Sequence, residues 1–220
     1  MASYRTLCNR CYRYALIGHA YRRWYRIARA VVSRLAVHSY HCKSLRSYPD
    51  HLYRLSDLVA ITSPRIDVKS NLRLAWSEHL RNPRSSRVMR STRAALDHYH
   101  ATGIIRGPKT SRFALVLRGD DSIVVVDTWM SRALSVPDRQ ARNKSTQELA
   151  ERVVKNVQRK LSRQDDSTGV VWWPAAETQA AIWAGMIRTH YKDGKIPIYR
   201  TEDVGLYRTG TNGQLSEVPF

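Results

Sequence analysis

Apolar residues recur three and four positions apart along most of this chain, which is the spacing of helices that bury one face. Near the N-terminus Leu16, Ala20, Trp24, Ile27, Val31 and Leu35 keep that spacing, and the pattern predicts one long amphipathic helix. A short helix follows with Leu52, Leu55, Leu58 and Val59, closed by Thr62-Ser63-Pro64. A further helix runs from about Val68 to Leu80, with Leu72, Ala75 and Trp76 inside, and Asn82-Pro83 ends it. Another runs from Ser85 to His100, with Val88, Ala95, Leu96 and Tyr99 inside.

The second half keeps the same period. Ser145 with Glu148 has the form of a capping box opening a helix with Leu149, Val153, Val154, Val157 and Leu161 buried. Pro174 starts a helix to about His190, with Glu177, Gln179 and Arg188 as its polar members. The last residues alternate weakly and read as a hairpin or a loose tail. The fold class expected is all-α. Its expected segments are a basic, aromatic-rich helical extension over 1–50, a helical core over 51–197 and a tail over 198–220. No internal repeat is visible.

Charge changes the picture more than composition does. The 220 residues carry 37 Lys and Arg against 18 Asp and Glu, a net +19. Residues 1–50 hold a single acid, Asp50, among interleaved Tyr and Trp. A surplus of this size implies a polyanion, most simply DNA, with binding that weakens steeply in salt. An anionic membrane surface is the weaker reading, because no apolar run approaches the roughly 20 residues that span a bilayer, and no cleavable signal peptide is read. The three cysteines, Cys8, Cys11 and Cys42, suit a reducing compartment rather than a disulfide scaffold. With His38 and His41 they invite a zinc reading, but in one helix Cys11 and His38 would stand about 40 Å apart, so free thiols are favoured and no metal site is assigned.

The densest chemistry lies between Gly103 and Leu134. A turn at Gly107-Pro108 opens a helix with Lys109 in its first turn. Phe113 to Leu117 follow, then Gly119-Asp120-Asp121 turns the chain. Ile123 to Val126 lead into Asp127-Thr128, where Asp127 is placed to cap a second helix. Pro108 suits the first helical position, and the helix start offers N–H groups to an anion. A lysine at one helix mouth and an aspartate at the next can converge on one cleft.

The elements Gly107-Pro108-Lys109-Thr110 and Val126-Asp127-Thr128, in that order and at that interval, resemble the helix-hairpin-helix DNA glycosylases of the endonuclease III type. Ile105 stands where the first glycine of that family's Gly-x-Gly turn is expected. The block from Ala60 to Arg65 is similar to the family's early DNA-facing turn. The resemblance, to a divergent phage-type member, implies a helix-hairpin-helix glycosylase-like bundle. It also implies an extended connector at 123–126, Asp127 as the catalytic carboxylate and Lys109 as nucleophile or phosphate ligand. The iron-sulfur cluster of some relatives needs four cysteines after the aspartate, and this chain has none there, so no cofactor is expected.

The chemistry fits the residue types. Breaking an N-glycosidic bond builds positive charge on the sugar, which a carboxylate stabilises. An amine with lowered pKa could instead attack the sugar and permit strand cleavage. The DNA-contact candidates are Arg65, Arg87, Arg90, Arg93, Arg106, Gly107, Thr110 and Arg112. Trp129, Trp172, Trp173 and Glu177 are candidates for a flipped-base pocket, with helix core as the bland alternative for the tryptophans. The expected protein is a monomeric glycosylase on double-stranded DNA, with or without lyase activity, in the cytoplasm of a bacterial or phage-infected cell. The alternatives are a phage-type enzyme that alters bases on the same scaffold, and a DNA binder without catalysis.

Overall fold

The computed structural model describes residues 3–41, 48–81, 88–141, 143–165, 172–191, 196, 208–209 and 215–216. The described residues are overwhelmingly helical, and the chain divides into two compact units, Met1–Tyr25 with Asp120–Ile196 and Arg26–Gly119 with Pro197–Phe220. The boundary expected at 50 lies inside the second unit, whereas the one expected at 197 falls beside the division after Ile196.

In the first unit, α1 (Tyr4–Ile17) opens on Ser3, whose Oγ accepts the Thr6 N–H at 3.2 Å. The chain then passes through a 3-10 turn, His19–Tyr21, before α2 begins at Trp24 and runs to His41, entering the second unit after Tyr25. The single long helix expected here is therefore two. The break falls at Gly18, where a Cβ would strike the backbone carbonyl of Ala181 in α9 (Ala175–His190). The expected stripe mixed two faces: Leu16 and Ile27 are exposed, while Leu7, Cys8, Cys11, Tyr14 and Ala15 on α1 and Ala28, Val31, Val32 and Leu35 on α2 are buried. Far from being a peripheral extension, α1 lies along α9 and α8 (Lys144–Asp165).

Gly18 and Gly185 allow that close approach, since a Cβ on Gly185 would fall on the Tyr14 backbone. The core of this unit joins Leu7, Cys11 and Tyr14 to Val153, Val157, Trp173 and Ile182. Cys11 Sγ lies 3.7 Å from the Ala133 carbonyl oxygen, and burial pushes its thiol pKa up to about 12. Cys8 and Cys11 thus pack as small apolar groups; Cys42 lies outside the described residues.

Also in this unit are α7 (Thr128–Ala133) and a 3-10 turn at Asp138–Gln140. Helix α8 starts at Lys144, and the Asn143 carbonyl accepts the N–H groups of Thr146 and Gln147, both at 3.1 Å. Ser145 therefore sits inside the first turn instead of capping it. Glu177 and Gln179, expected on the polar side of α9, are buried.

The second unit is built on α3 (Tyr48–Thr62), against which α4 (Val68–His79), α5 (Arg90–Thr102) and α6 (Pro108–Arg118) pack. Leu55, Leu58, Leu72, Trp76, Leu96 and Leu117 are sealed within it. Asn82-Pro83 and the expected start of α5 at Ser85 lie outside the described residues; α5 is seen from Arg90. A short antiparallel pair, β1 (Arg208–Thr209) and β2 (Leu215–Ser216), sets Arg208 opposite Ser216; the rest of the expected tail lies outside the described residues.

One polar cluster threads this apolar core. Ser39 Oγ lies 2.6 Å from His79 Nε2 and 2.6 Å from His51 Nδ1, and all three residues are buried. Burial, with Arg54 and His51 nearby, lowers the His79 pKa from 6.5 to about 3.

Two measurements check this packing. Gly185→Ala forces helices α1 and α9 apart and should destabilise the chain by about 2–4 kcal/mol in chemical denaturation, whereas Gly103→Ala, with open space around it, should lose only about 1 kcal/mol from its positive φ. Equal losses would contradict the close helix contact. His79 stays neutral in the folded chain and takes up a proton on unfolding below pH 6.5. Its contribution is complete above that value and is lost as pH falls toward about 3, by up to about 1.4 kcal/mol per pH unit. His79→Gln should flatten the acid limb of stability against pH; an unchanged limb would refute the buried neutral imidazole.

Candidate nucleic-acid interface

Helices α5 and α6 follow one another around the turn at residues 103–107 as a two-helix hairpin, each packed on α3. Helix α5 ends on Gly103, left-handed at φ 70°, whose N–H bonds the Tyr99 carbonyl at 2.8 Å. The Ile104 N–H is taken by Thr102 Oγ1 at 3.1 Å, and Ile104 itself is 62% exposed at the tip. Gly107 leads into α6 at φ 91°, and Pro108 occupies the first turn, where its missing N–H costs nothing. Ser111 closes the turn, its N–H and Oγ both donating to the Gly107 carbonyl at 3.0 Å. Ile105 has no positive φ, because the two left-handed positions fall on Gly103 and Gly107. The glycine that the family pattern would set at 105 is therefore not required by this backbone.

No side chain caps α6, so its first N–H groups face outward beside Gly107, around which nothing lies within 4 Å of a Cβ position. That edge can approach a phosphate closely, and the helix dipole favours the anion. Arg106, Gly107 and Lys109 are exposed and Thr110 and Arg112 half-buried on the same turn. Arg90 is exposed and Arg93 half-buried at the start of α5, where a helix dipole disfavours cations and a bound phosphate would offset them. Arg87 lies outside the described residues, so the expected ridge reduces to these two. Arg65 is exposed, adopts φ 57°, and with Arg73, Ser70 and Thr92 lines a cavity of about 490 Å³. All of these cations belong to the second unit.

Asp127 belongs to the first unit, and Lys109 to the second. The half-buried Asp127 caps α7, its Oδ1 accepting the Met130 N–H at 2.8 Å. The extended connector before it pairs with no strand among the described residues. Its backbone is satisfied by side chains: Gln179 Oε1 accepts the Val125 N–H and Gln179 Nε2 donates to the Val125 carbonyl, each at 2.6 Å, while Gln147 Nε2 reaches the Val124 carbonyl at 3.0 Å. Buried Gln179 thus holds the segment that delivers Asp127. No protein-family model, curated protein or solved structure matches the chain. What the site can do therefore follows from its own chemistry.

The pocket candidates separate. Trp173 is 2% exposed, with the Arg22 guanidinium 4.9 Å from its ring centroid and the His19 ring at 5.3 Å, so it is a core residue. Trp129 is half-buried, edge-on to Tyr191 at 4.8 Å and beneath Arg132. Trp172 is 68% exposed. Glu177 is buried beside Arg22 at 3.9 Å rather than displayed on a surface.

Two features escaped the sequence reading. One is Asp57, sealed in α3, where it accepts from Tyr99 Oη at 2.9 Å and from Arg118. Burial outweighs those partners and raises its carboxyl pKa. An acid inside the apolar run Leu55 to Ile61 was the signal. The other is that cations of α8 join the basic N-terminal segment, where Arg152 stacks on Tyr4 and Lys160 on Tyr12. Residues 152–162 of α8 and all of α1 contain no acid.

Lys109→Gln should weaken duplex binding similarly for every sequence and reduce the slope of log affinity against log salt by about one. Gly107→Val, whose side chain would block the phosphate-facing edge, should weaken it by about tenfold or more. Fluorescence anisotropy over a salt series checks both, and an unchanged slope in Lys109→Gln removes the lysine from the interface.

Proposed function

We propose that the chain binds double-stranded DNA through the α5–α6 hairpin and acts as a DNA glycosylase, with Asp127 supplying the carboxylate that stabilises the sugar cation. The observation that carries the reading is the hairpin itself: two left-handed glycines and an uncapped, cation-flanked helix start, followed within one chain segment by a clamped connector ending in an aspartate. The resemblance to endonuclease III-type glycosylases supports the same assignment of roles. A carboxylate near C1′ favours the oxocarbenium-like transition state and can deprotonate the attacking water. Lys109 is exposed, which favours holding a phosphate over attacking the sugar; base release without strand cleavage is the expected chemistry, and lyase activity the second reading.

Asparagine caps helices as well as aspartate does, so Asp127→Asn preserves the start of α7 while removing the charge. It should cut base release by about 10²–10³-fold or more and leave duplex affinity unchanged. Mass analysis of bases freed from modified genomic DNA, and of the nucleosides that remain, is the readout. Free base with an intact sugar supports the glycosylase. A base of altered mass still on its sugar would instead show a base-altering enzyme, and no change in either pool would leave only a DNA binder. Borohydride trapping that is lost in Lys109→Gln would establish the lyase reading.

A further inference from the structure

A cavity of about 370 Å³ opens in the second unit between α3 and α5, with Arg54, Asp57, Arg81, Tyr99 and His100 in its wall. The Nε and Nη2 of Arg54 are shielded from solvent and meet no hydrogen-bond acceptor among the described residues. A guanidinium cannot shed its charge, so burying two of its donors without acceptors is costly, and a turn of the side chain toward the cavity would bring them to a ligand. Of the carboxylates in the wall, Asp57 accepts from Tyr99 and Arg118. Arg81 brings a second guanidinium to the wall from a left-handed position at φ 57°, just beyond the end of α4, where glycine is the usual occupant. Asp50 and Asp57 also line the wall and repel an anion, so the ligand's charge has to sit on the Arg54 and Arg81 side.

We propose that this cavity binds a phosphate-class oxyanion, with Arg54 as its principal ligand and Arg81 as the second. A guanidinium fork matches the oxygen spacing of phosphate and can donate to it bidentately. The volume lies in the range of small-molecule sites, roughly 300–1,000 Å³, so a phosphate carrying a sugar or base fits as well as a bare one. The phosphate comes either from a free phosphomonoester or from a nucleic-acid strand. The site is independent of the roles given to the hairpin and Asp127, and it stands or falls separately from them.

Isothermal titration calorimetry on the full chain, at constant ionic strength set with chloride, tests it with inorganic phosphate, deoxyadenosine 5′-monophosphate and phosphate-free deoxyadenosine. The expected result is saturable binding of the two phosphates and none of the nucleoside. Arg54→Met should weaken phosphate at least tenfold, Arg54→Lys should restore part of it, Arg81→Gln should weaken it less, and Arg23→Met in the other unit should change nothing. Unliganded Arg54→Met should melt no lower than the parent chain, because the lost Nε and Nη2 donors have no partner among the described residues. Displacement of phosphate by a short duplex would assign the source to nucleic acid; retention of phosphate beside bound duplex would assign it to a free phosphomonoester. Phosphate affinity within twofold of the parent in both Arg54→Met and Arg81→Gln, or a response no different from chloride, would overturn the site. So would an Arg54→Met chain that fails to fold, since that would reveal protein partners for the guanidinium.

Discussion

The second unit depends on one buried carboxylate. Asp57 on α3 receives the Tyr99 hydroxyl from α5 and the Arg118 guanidinium from α6, so a single side chain ties both arms of the hairpin to the helix beneath them. Burial raises its pKa, and the two donors act against that rise. A buried acid held this way is expensive to leave half-satisfied, which makes the angle between α5 and α6 a consequence of the network as well as of apolar packing. Everything asked of the hairpin, the outward N–H groups of α6 and the open edge at Gly107, presupposes that the two helices stay where Asp57 holds them.

The first unit solves a different problem. A buried extended segment with no neighbouring strand leaves peptide groups that must be satisfied, and Gln179 does this by presenting an amide in place of a strand, with Gln147 taking the carbonyl before it. The close contact of α1 on α9 at Gly18 and Gly185 sets α9, and so Gln179, in place. Asp127 is then delivered by two supports, the clamp on the connector and its own cap on α7.

Local structure was legible where short-range chemistry decides it. The start of α6 at Pro108, the turn at Gly119, the cap at Asp127 and the run of α9 from Pro174 follow from residues whose backbone preferences act within one turn. The N-terminal helix was misread because periodicity cannot distinguish one stripe from two stripes joined at a glycine, and the break at Gly18 is enforced by α9, more than 150 residues away. Glu177 and Gln179 read as surface polar residues for the same reason, since their partners Arg22 and Val125 are distant in sequence. Trp173 shows the limit for pockets: residue type suits base stacking, while burial beneath Arg22 makes it core. Arg54 had no sequence signal, because its meaning lies in donors that meet no acceptor among the described residues.

Hydrogen-deuterium exchange on the full chain, with and without a duplex at low and high salt, would register a DNA backbone docked on the turn between α5 and α6. Docking there should slow exchange at the amides of Ile104 to Ser111, with the effect fading as salt rises. Unaltered exchange across that turn under saturating duplex, with protection elsewhere, would contradict it.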